Sequence, residues 1–302
     1  MRALAVVLLV VAVLAATASA KPPPTPREAA VVPTGRAPCG IAARAGSLWI
    51  GVYETGQLLK LDDRSGAHEA TIDVGPWACK VAIGPAAAWV TRDRVGELVR
   101  VSRGSGRIER LRVGTGSFDV LLAHGSVWTA SWDHATIVRI DSSTRRLERA
   151  YKDGPNPAGV ASCGGRVWVG HGREATWLTA IDPRSNRMRR VDVVVKAPAW
   201  PRCVRGELWV TATDSVLQVD PRSGELVGHY RLGGTPAEAA AGPDGLVWVA
   251  DKERSVVHRI DGANRHVLDS FSAGPGAYAL ARVGDAMWVT SFAGADVRKF
   301  VP

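Results

Sequence analysis

Short apolar runs separated by turn signals recur along the whole chain. The segment 206–234, GELWVTATDSVLQVDPRSGELVGHYRLGG, contains three of them, at 208–212, 216–219 and 226–232. Apolar runs of this length between turn residues predict β-strands. The sequence DPRSG between the second and third predicts a tight turn, because proline presets φ and glycine tolerates positive φ. Since so small a sheet cannot bury its own faces, copies of it must pack together.

Seven copies of this pattern are present. Each is centred on a tryptophan, and the spacings between consecutive members are 39 to 41 residues: Trp49, Trp89, Trp128, Trp168, Trp209, Trp248 and Trp288. Repeats of this period built from strands predict an all-β, seven-bladed β-propeller with four-stranded antiparallel blades. An α-solenoid would show helical spacing, and no segment does. The seven tryptophans are predicted to fill the wedges between neighbouring blades.

The two ends of the repeat region complement each other. The sequence EAAVVPTG at 28–35 is similar to the outer-strand sequences HEATIDVG at 68–75 and IERLRVG at 108–114. The last repeat, by contrast, has strands at 286–290 and 296–301 and no outer strand. We therefore expect a propeller over 28–302 whose N-terminal strand completes the last blade, which would remove an exposed sheet edge.

The segment 1–20 has the pattern of a signal peptide. Arg2 gives a positive start, residues 3–15 are apolar, and Ala18, Ser19 and Ala20 form a small-residue cleavage site. An uncleaved anchor is the alternative. The proline-rich segment 21–27 is expected to be an extended linker. The protein is therefore expected to be exported, secreted or periplasmic, and not transmembrane after signal cleavage.

The four cysteines occur in two pairs with the spacing of the repeat. Cys39 and Cys79 are 40 residues apart and each precedes its blade tryptophan by ten; Cys163 and Cys203 are also 40 apart. In an oxidising compartment, this spacing predicts disulfides Cys39–Cys79 and Cys163–Cys203, each joining adjacent blades. Four cysteines allow three pairings, and free thiols remain an alternative.

The net charge is basic, +9 at neutral pH. Arginines are spread over turns and outer strands. They could simply keep the protein soluble, or they could attract an anionic envelope polymer, a lipid surface or an acidic partner. No motif for nucleic-acid binding is present, and we expect a monomer that binds no nucleic acid.

Two segments carry a family resemblance. PNPAGVASCGGRVWVG at 155–170, followed by TAIDPRSNR at 179–187, resembles the YVTN/YncE-type propellers and the related streptogramin (virginiamycin B) lyases. The resemblance extends over residues 28–302 and concerns scaffold positions, so it indicates architecture more than activity.

The resemblance implies a ligand face made of two sets of loops. One set follows the tryptophan strands, and the other joins each outer strand to the next inner strand. The residues of both sets vary from blade to blade. A specific pocket requires such variation, but loops under little constraint would vary as well. The following residues are expected to bind ligand: Trp77, Arg92, Asp93, Trp132, Asp133, His134, His171, Arg173, Trp200, Arg202, Asp251 and Tyr278. The same loops also carry Arg36, Tyr53, Glu54, Lys80, Phe118, Asp119, Asn156, Asp214, Glu238, Lys252 and Phe292.

The lyases that the chain resembles imply a histidine after the proline that opens an inner strand, and a glutamate three residues after a blade tryptophan. That glutamate helps to hold Mg²⁺. This chain has no histidine at the first position and no glutamate at the second, where only Asp251 imitates the acid. No catalytic residue and no cofactor are therefore predicted, with Mg²⁺ expected only of a lyase-like enzyme. Asp93, Asp133 and Asp251 could surround a cation.

Three functional hypotheses remain open. The first is an exported, non-enzymatic propeller that binds a ligand or protein on its loop face. The second is a divergent streptogramin lyase-like or lactonase-like metal-dependent enzyme. The third is a structural envelope protein held through its basic rim.

Overall fold

Each predicted repeat forms one antiparallel sheet of four strands in the computed structural model, which describes residues 22–302. The seven sheets are the blades of a propeller, so the predicted fold class is confirmed. The strands in chain order are β1 (Arg27–Pro33); β2 (Pro38–Arg44), β3 (Ser47–Val52), β4 (Gln57–Asp62) and β5 (His68–Asp73) in blade one; β6 (Ala78–Ile83), β7 (Ala87–Arg92), β8 (Glu97–Ser102) and β9 (Ile108–Arg112) in blade two; β10 (Ser117–Ala123), β11 (Ser126–Ser131), β12 (Thr136–Asp141) and β13 (Leu147–Lys152) in blade three; β14 (Pro157–Cys163), β15 (Arg166–His171), β16 (Trp177–Ile181) and β17 (Met188–Asp192) in blade four; β18 (Trp200–Val204), β19 (Glu207–Thr211), β20 (Ser215–Val219) and β21 (Leu226–Arg231) in blade five; β22 (Pro236–Ala241), β23 (Val247–Asp251), β24 (Val256–Asp261) and β25 (His266–Ser272) in blade six; and β26 (Ala277–Val283), β27 (Ala286–Ser291) and β28 (Asp296–Val301) in blade seven. One 3₁₀ helix, Asp93–Val95, follows β7.

Strand β1 is the outer strand of blade seven, as the sequence predicted. The strand order of that sheet is β1-β28-β27-β26, and Val31 pairs with Arg298. β1 begins at Arg27, one residue before the expected boundary. Because β1 pairs along β28, the first and last strands of the ring are held in one sheet and β28 has no free edge.

The seven blade tryptophans are all buried, with exposed fractions of 3% or less. Each packs against the next blade around the ring. Trp49 of blade one contacts a cluster that includes Ala88 and Val90 of blade two, and Trp288 of blade seven contacts Leu48 and Ile50 of blade one. A large ring at one position per blade therefore fills the space between sheets that diverge from a common axis.

Both predicted disulfides are present. Cys39 is bonded to Cys79, with 4.8 Å between the Cα atoms, and Cys163 is bonded to Cys203, with 5.3 Å. Each joins two neighbouring inner strands. Two disulfides suggest an oxidising, exported environment.

The proline-rich segment before β1 contacts the ring instead of standing clear of it. The guanidinium of Arg259 donates to the carbonyl oxygens of Pro24, at 2.8 Å, and Pro23, at 3.3 Å. Arg259 is 1% exposed, so these two carbonyls supply acceptors to a buried cation that Asp244 and Asp269 also bind.

This contact repeats one that other blades make. Lys299 of blade seven donates to the carbonyl of Arg64, and Arg139 of blade three donates to the carbonyl of Pro183. In both cases the acceptor is in the turn before the next blade's outer strand. In blade seven the chain is interrupted at this turn, between β28 and β1. The segment 22–26 therefore takes the place of the missing turn.

No helix within residues 22–302 is long and apolar enough to cross a membrane. The predicted signal peptide, 1–20, lies outside the described residues.

Candidate functional site

Four charged side chains meet at the axis of the ring. They are Lys80, Asp119, Arg202 and Glu238, and they come from the inner strands of blades two, three, five and six. The inner strands of a propeller surround its axis, so residues far apart in sequence become neighbours there. The face of the ring at which these strands begin is called here the loop face; the opposite face is the turn face.

The four charges form one connected network. The ammonium of Lys80 donates to Oε2 of Glu238 at 2.5 Å. Arg202 donates through Nε to Oε1 of Glu238 at 3.2 Å and through Nη1 to Oδ2 of Asp119 at 2.8 Å. Backbone amides of Val120 and Val160 donate to the Asp119 carboxylate. Two cations and two anions thus neutralise one another at the axis.

Burial and charge act in opposite directions on this network. Burial by itself would raise the pKa of Glu238, but the adjacent Arg202 and Lys80 lower it below its ordinary value. Burial would likewise lower the pKa of Arg202, and the carboxylates of Asp119 and Glu238 raise it instead. The ionised forms of Glu238 and Arg202 are therefore stabilised by their partners.

One aromatic cluster lies on the loop face beside the axis, over blades three to five. The ring of Phe118 contacts Trp132 edge-to-face at 5.8 Å and Trp200 at 6.3 Å between centroids. The guanidinium of Arg173 lies over Trp132 at 5.8 Å from its centroid. Trp132 also packs on Gly172, where an added Cβ would lie 2.1 Å from its ring. We call Phe118, Trp132, Trp200 and Arg173 the first aromatic cluster.

A second aromatic cluster lies on the other side of the axis. Phe292 contacts Tyr278 at 5.5 Å and Tyr53 at 6.4 Å between ring centroids. The ammonium of Lys252 lies 4.2 Å from the Phe292 centroid, and its burial lowers its pKa. The hydroxyl of Tyr53 donates to Asp93. The second aromatic cluster comprises Tyr53, Tyr278, Phe292 and Lys252.

Both clusters combine half-buried rings with an available cation. Neither Lys252 nor Arg173 forms a salt bridge to any residue between 22 and 302. Each lies over a ring, where the cation is attracted to the aromatic face. The axial network connects to the second cluster, because the Lys80 ammonium lies 4.6 Å from the Tyr278 centroid.

Five of the residues expected to bind ligand lie in the two aromatic clusters or in the axial network. Trp132, Arg173 and Trp200 are in the first aromatic cluster, Tyr278 is in the second, and Arg202 is in the axial network. Asp93 lies beneath the second cluster as a buried acceptor for Tyr53, and burial raises its pKa.

Three other residues that were expected to bind ligand instead form hydrogen bonds with neighbouring groups of the propeller itself. Arg92 donates to Glu97 and to the carbonyl of Pro76. His171 is fully buried; its Nδ1 lies 3.2 Å from the carbonyl of Pro155 and its Nε2 lies 3.0 Å from the Thr179 hydroxyl.

Asp251 is the third of these and is also fully buried. Its Oδ1 accepts from the backbone amides of Thr235 and Arg254, and its Oδ2 lies 3.3 Å from Nε2 of His258. The carboxylate therefore stabilises the two loops that lie beside it, before β22 and after β23.

The proposed cation site is not assembled from these loops. Asp251 and Asp93 are each engaged as described, and Asp133 is exposed. Within residues 22–302, no group of three or more His, Cys, Asp or Glu side chains is arranged to hold a metal ion. The residues at the positions that the lyase resemblance pointed to therefore do not fit Mg²⁺.

The remaining expected residues lie in loops of the same face but outside both clusters. Asp133 and His134 are exposed, and His134 lies 3.5 Å from the Thr115 hydroxyl. Trp77 is half-buried with a positive φ of 66°, and its amide donates to the carbonyl of Tyr53.

The partners of these residues were predicted to lie in the same loops, but they were not among the residues expected to bind ligand. Phe118 links two tryptophans of the first cluster, and Lys80, Asp119 and Glu238 complete the network of Arg202. The sequence did contain one indication of the axial network. Charged residues at inner-strand positions, where other blades have small apolar ones, indicate side chains that must be paired at the axis.

The sequence matches no model of a protein family and no curated protein sequence. Solved structures do match. Virginiamycin B lyase from Staphylococcus aureus is 14% identical with a TM-score of 0.78, and the match covers 90% of this chain and 98% of that one. BamB from Moraxella catarrhalis is 14% identical with a TM-score of 0.65, covering 87% and 84%. U3-55K is 11% identical with a TM-score of 0.79, covering 92% and 100%.

The chain has the fold of the virginiamycin B lyases. The resemblance to the streptogramin (virginiamycin B) lyases is therefore confirmed at the level of architecture. At these identities the likeness shows the fold alone, and the matches to BamB and U3-55K show that proteins with other names have similar folds.

Proposed function

We propose that the protein is an exported, non-enzymatic propeller that binds a small ligand carrying a ring and a negative charge on its loop face. The observation that carries the proposal is the pair of aromatic clusters on either side of the axial network, each with a cation that has no carboxylate partner among residues 22–302. Half-buried rings offer stacking surface, and the cations offer a counter-charge for an anionic group.

The axial network supports a role as the floor of this site. Its four charges pair with one another, so the network carries no net charge between the two clusters. Rigid elements that position the contacting side chains favour binding, because little conformational entropy is lost when the ligand arrives.

The experiment uses 8-anilinonaphthalene-1-sulfonate, a fluorescent aromatic anion, as the probe. We expect the folded protein to enhance its fluorescence. The combined variant Trp132→Ala, Trp200→Ala and Arg173→Gln should weaken binding at least tenfold, since it removes two rings and a cation. Arg202 is left intact, because its removal would leave buried carboxylates unpaired.

The matched control removes a ring and a cation from a part of the protein outside both clusters. Trp177 on β16 is half-buried, and Arg190 lies over its ring at 4.2 Å. The variant Trp177→Ala with Arg190→Gln removes a similar ring and cation outside both clusters. Equal loss of probe binding in the two variants would disprove the assignment of the site.

A divergent lyase is the second candidate, favoured by the likeness in fold to virginiamycin B lyase. Incubation with virginiamycin B, with and without Mg²⁺, followed by mass spectrometry tests it. A linearised product that disappears when Mg²⁺ is chelated would favour the enzyme over the binding protein.

An envelope partner held through the basic rim is tested separately. Binding to an anionic envelope polymer that weakens steeply with added salt would support it, because exposed charges are screened by salt. Such binding should survive the loop-face variant, since that variant leaves the rim unchanged.

A further inference from the structure

In blades three, six and seven, the residue across the strand pair from the blade tryptophan donates a hydrogen bond to the turn segment beside the next blade's outer strand. In blade three this residue is Arg139, opposite Trp128. Its Nε donates to the hydroxyl of Ser126 at 3.0 Å, and its Nη1 donates to the carbonyl of Pro183 in blade four at 2.8 Å. The guanidinium thus fills the groove between the two blades on the turn face.

Arg100 occupies the same position in blade two, opposite Trp89, but its groove is not filled. The position of Ser126 is taken by Ala87, which offers no hydroxyl. Among residues 22–302, Arg100 donates no hydrogen bond, and its Nε is buried without a partner. An unpaired buried donor on a guanidinium is costly, so this atom is expected to have an acceptor that comes from elsewhere.

A cavity of about 330 Å³ opens beside this guanidinium, between blades two and three on the turn face. Trp89, Leu122 and Pro85 give it apolar walls, and Arg100, His124 and Ser142 give it polar ones. Its volume lies at the lower end of the range for small-molecule sites.

The charge around the cavity favours an anion. Glu109 is the carboxylate that faces Arg100, at 3.6 Å, and it is shared with Arg145 at 3.0 Å and Arg107 at 3.5 Å. Three guanidinium groups therefore surround one carboxylate. A second carboxylate near the cavity wall, Glu148, is already bound by Arg139 and by Ser126.

We propose that this cavity is a binding site for a small carboxylate with an apolar body. The carboxylate accepts hydrogen bonds from Arg100, whose planar donors match its two oxygens. The apolar body lies against Trp89 and Leu122. The site is on the face opposite the aromatic clusters and does not depend on the function proposed for them.

The experiment measures the binding of benzoate by titration calorimetry, with benzamide as the uncharged probe of the same shape. We expect benzoate to bind and benzamide to bind at least tenfold more weakly. Arg100→Gln should weaken benzoate binding at least tenfold, because it removes the charge and the unpaired Nε. Arg110→Gln is the matched control: it changes an arginine of β9 that pairs with Glu97 outside the cavity, and it should leave affinity unchanged.

A charge-preserving variant makes the test sharper. Ala87→Ser supplies the hydroxyl that Ser126 supplies in blade three, so Arg100 gains an internal acceptor. Benzoate affinity should fall severalfold although the net charge is unchanged. All titrations are repeated in the Trp132→Ala, Trp200→Ala and Arg173→Gln background, which separates this cavity from the loop face. Absence of benzoate binding in that background, or binding that Arg100→Gln does not weaken, would overturn the proposal.

Discussion

The ammonium of Lys80 lies 2.5 Å from the carboxylate of Glu238, although the two residues are 158 positions apart in sequence. They belong to blades two and six, and Arg202 extends the network to Asp119 of blade three. These contacts cross the axis, so they connect blades that are not neighbours in the ring. The network therefore supplements the contacts between adjacent blades.

Removing one member of the axial network should be strongly destabilising. Glu238→Ala leaves Lys80 unpaired and deprives Arg202 of one acceptor, and both are largely buried. We expect a loss of about 3–5 kcal/mol in the free energy of unfolding, measured with urea. Lys80→Met added to Glu238→Ala should recover part of this loss, because no lone ammonium then remains.

The control for this prediction is an exposed pair. Glu174 forms a salt bridge with Lys196 in which both side chains are mostly solvent-exposed. Glu174→Ala should leave the unfolding free energy almost unchanged. Similar losses for Glu174→Ala and Glu238→Ala would show that the axial network adds no special stability.

Stability should also depend on acid through Glu238. Its ordinary pKa is 4.5, and Arg202 and Lys80 lower it in the folded protein. The folded state therefore binds the Glu238 proton less readily than the unfolded chain does. This contribution is fully present above the unfolded pKa and is lost as the pH falls below it through the lowered folded pKa.

Urea unfolding from neutral pH down to about pH 3 measures this effect. The stability advantage of the wild type over Glu238→Gln should shrink as the pH decreases across that range. A constant difference at all pH values would contradict a lowered pKa for Glu238.

The segment 22–26 should contribute to stability although it lies outside every strand. Its deletion removes the carbonyl acceptors of Pro23 and Pro24 from the buried Arg259. We expect a loss of about 1–3 kcal/mol, measured by urea unfolding. The same deletion in an Arg259→Met background should cost less, because the donors are then absent.

Deletion of 22–33 serves as the comparison, since it also removes β1 and exposes the edge of β28. It should destabilise the protein far more than deletion of 22–26 alone. Equal midpoints of unfolding for the two truncations would contradict closure of the ring by β1.

The two disulfides should differ in their resistance to reduction. Cys39, Cys79 and Cys163 are at most 5% exposed, whereas Cys203 is exposed. Because a thiolate must reach a sulfur atom to reduce the bond, Cys163–Cys203 should open first under mild dithiothreitol without denaturant. Alkylation and mass spectrometry of the folded protein would measure the order, and earlier opening of Cys39–Cys79 would contradict it.

Replacement of either disulfide should lower stability by a similar amount. Both close loops with a sequence separation of 40 residues. By loop entropy, each pair of Cys→Ala substitutions should cost about 3–4 kcal/mol. Urea unfolding of the two double variants measures this, and a much larger cost for one pair would indicate that its blades depend on the bond for packing.

The features that recur with the period of the repeat could be predicted from the sequence. Trp49 to Trp288 recur at one position per blade, and cysteines separated by one repeat occupy facing positions on adjacent inner strands. The outer strand missing from the last repeat identified the partner of residues near Val31. Each of these inferences needs only a local pattern and the knowledge that the copies are arranged in a ring.

The roles of individual loop residues could not be obtained in this way. His171 and Asp251 stand three positions after a blade tryptophan, as Arg92 does, yet all three side chains turn into the scaffold. Whether a loop side chain faces solvent or its own backbone depends on hydrogen-bond partners supplied by neighbouring strands, which the repeat does not specify.

The sequence by itself therefore determined the number of blades, their strands, the closure of the ring and the two disulfides, because periodic hydrophobic burial and equal spacing are local properties of the chain. Only the tertiary structure decided that Lys80 meets Glu238 at the axis, that the carbonyl oxygens of Pro23 and Pro24 accept hydrogen bonds from Arg259, and that Nε of Arg100 has no hydrogen-bond partner within residues 22–302. The physical reason is that ring closure brings together residues from distant repeats, and the pairing of their charges depends on distances that no single repeat encodes.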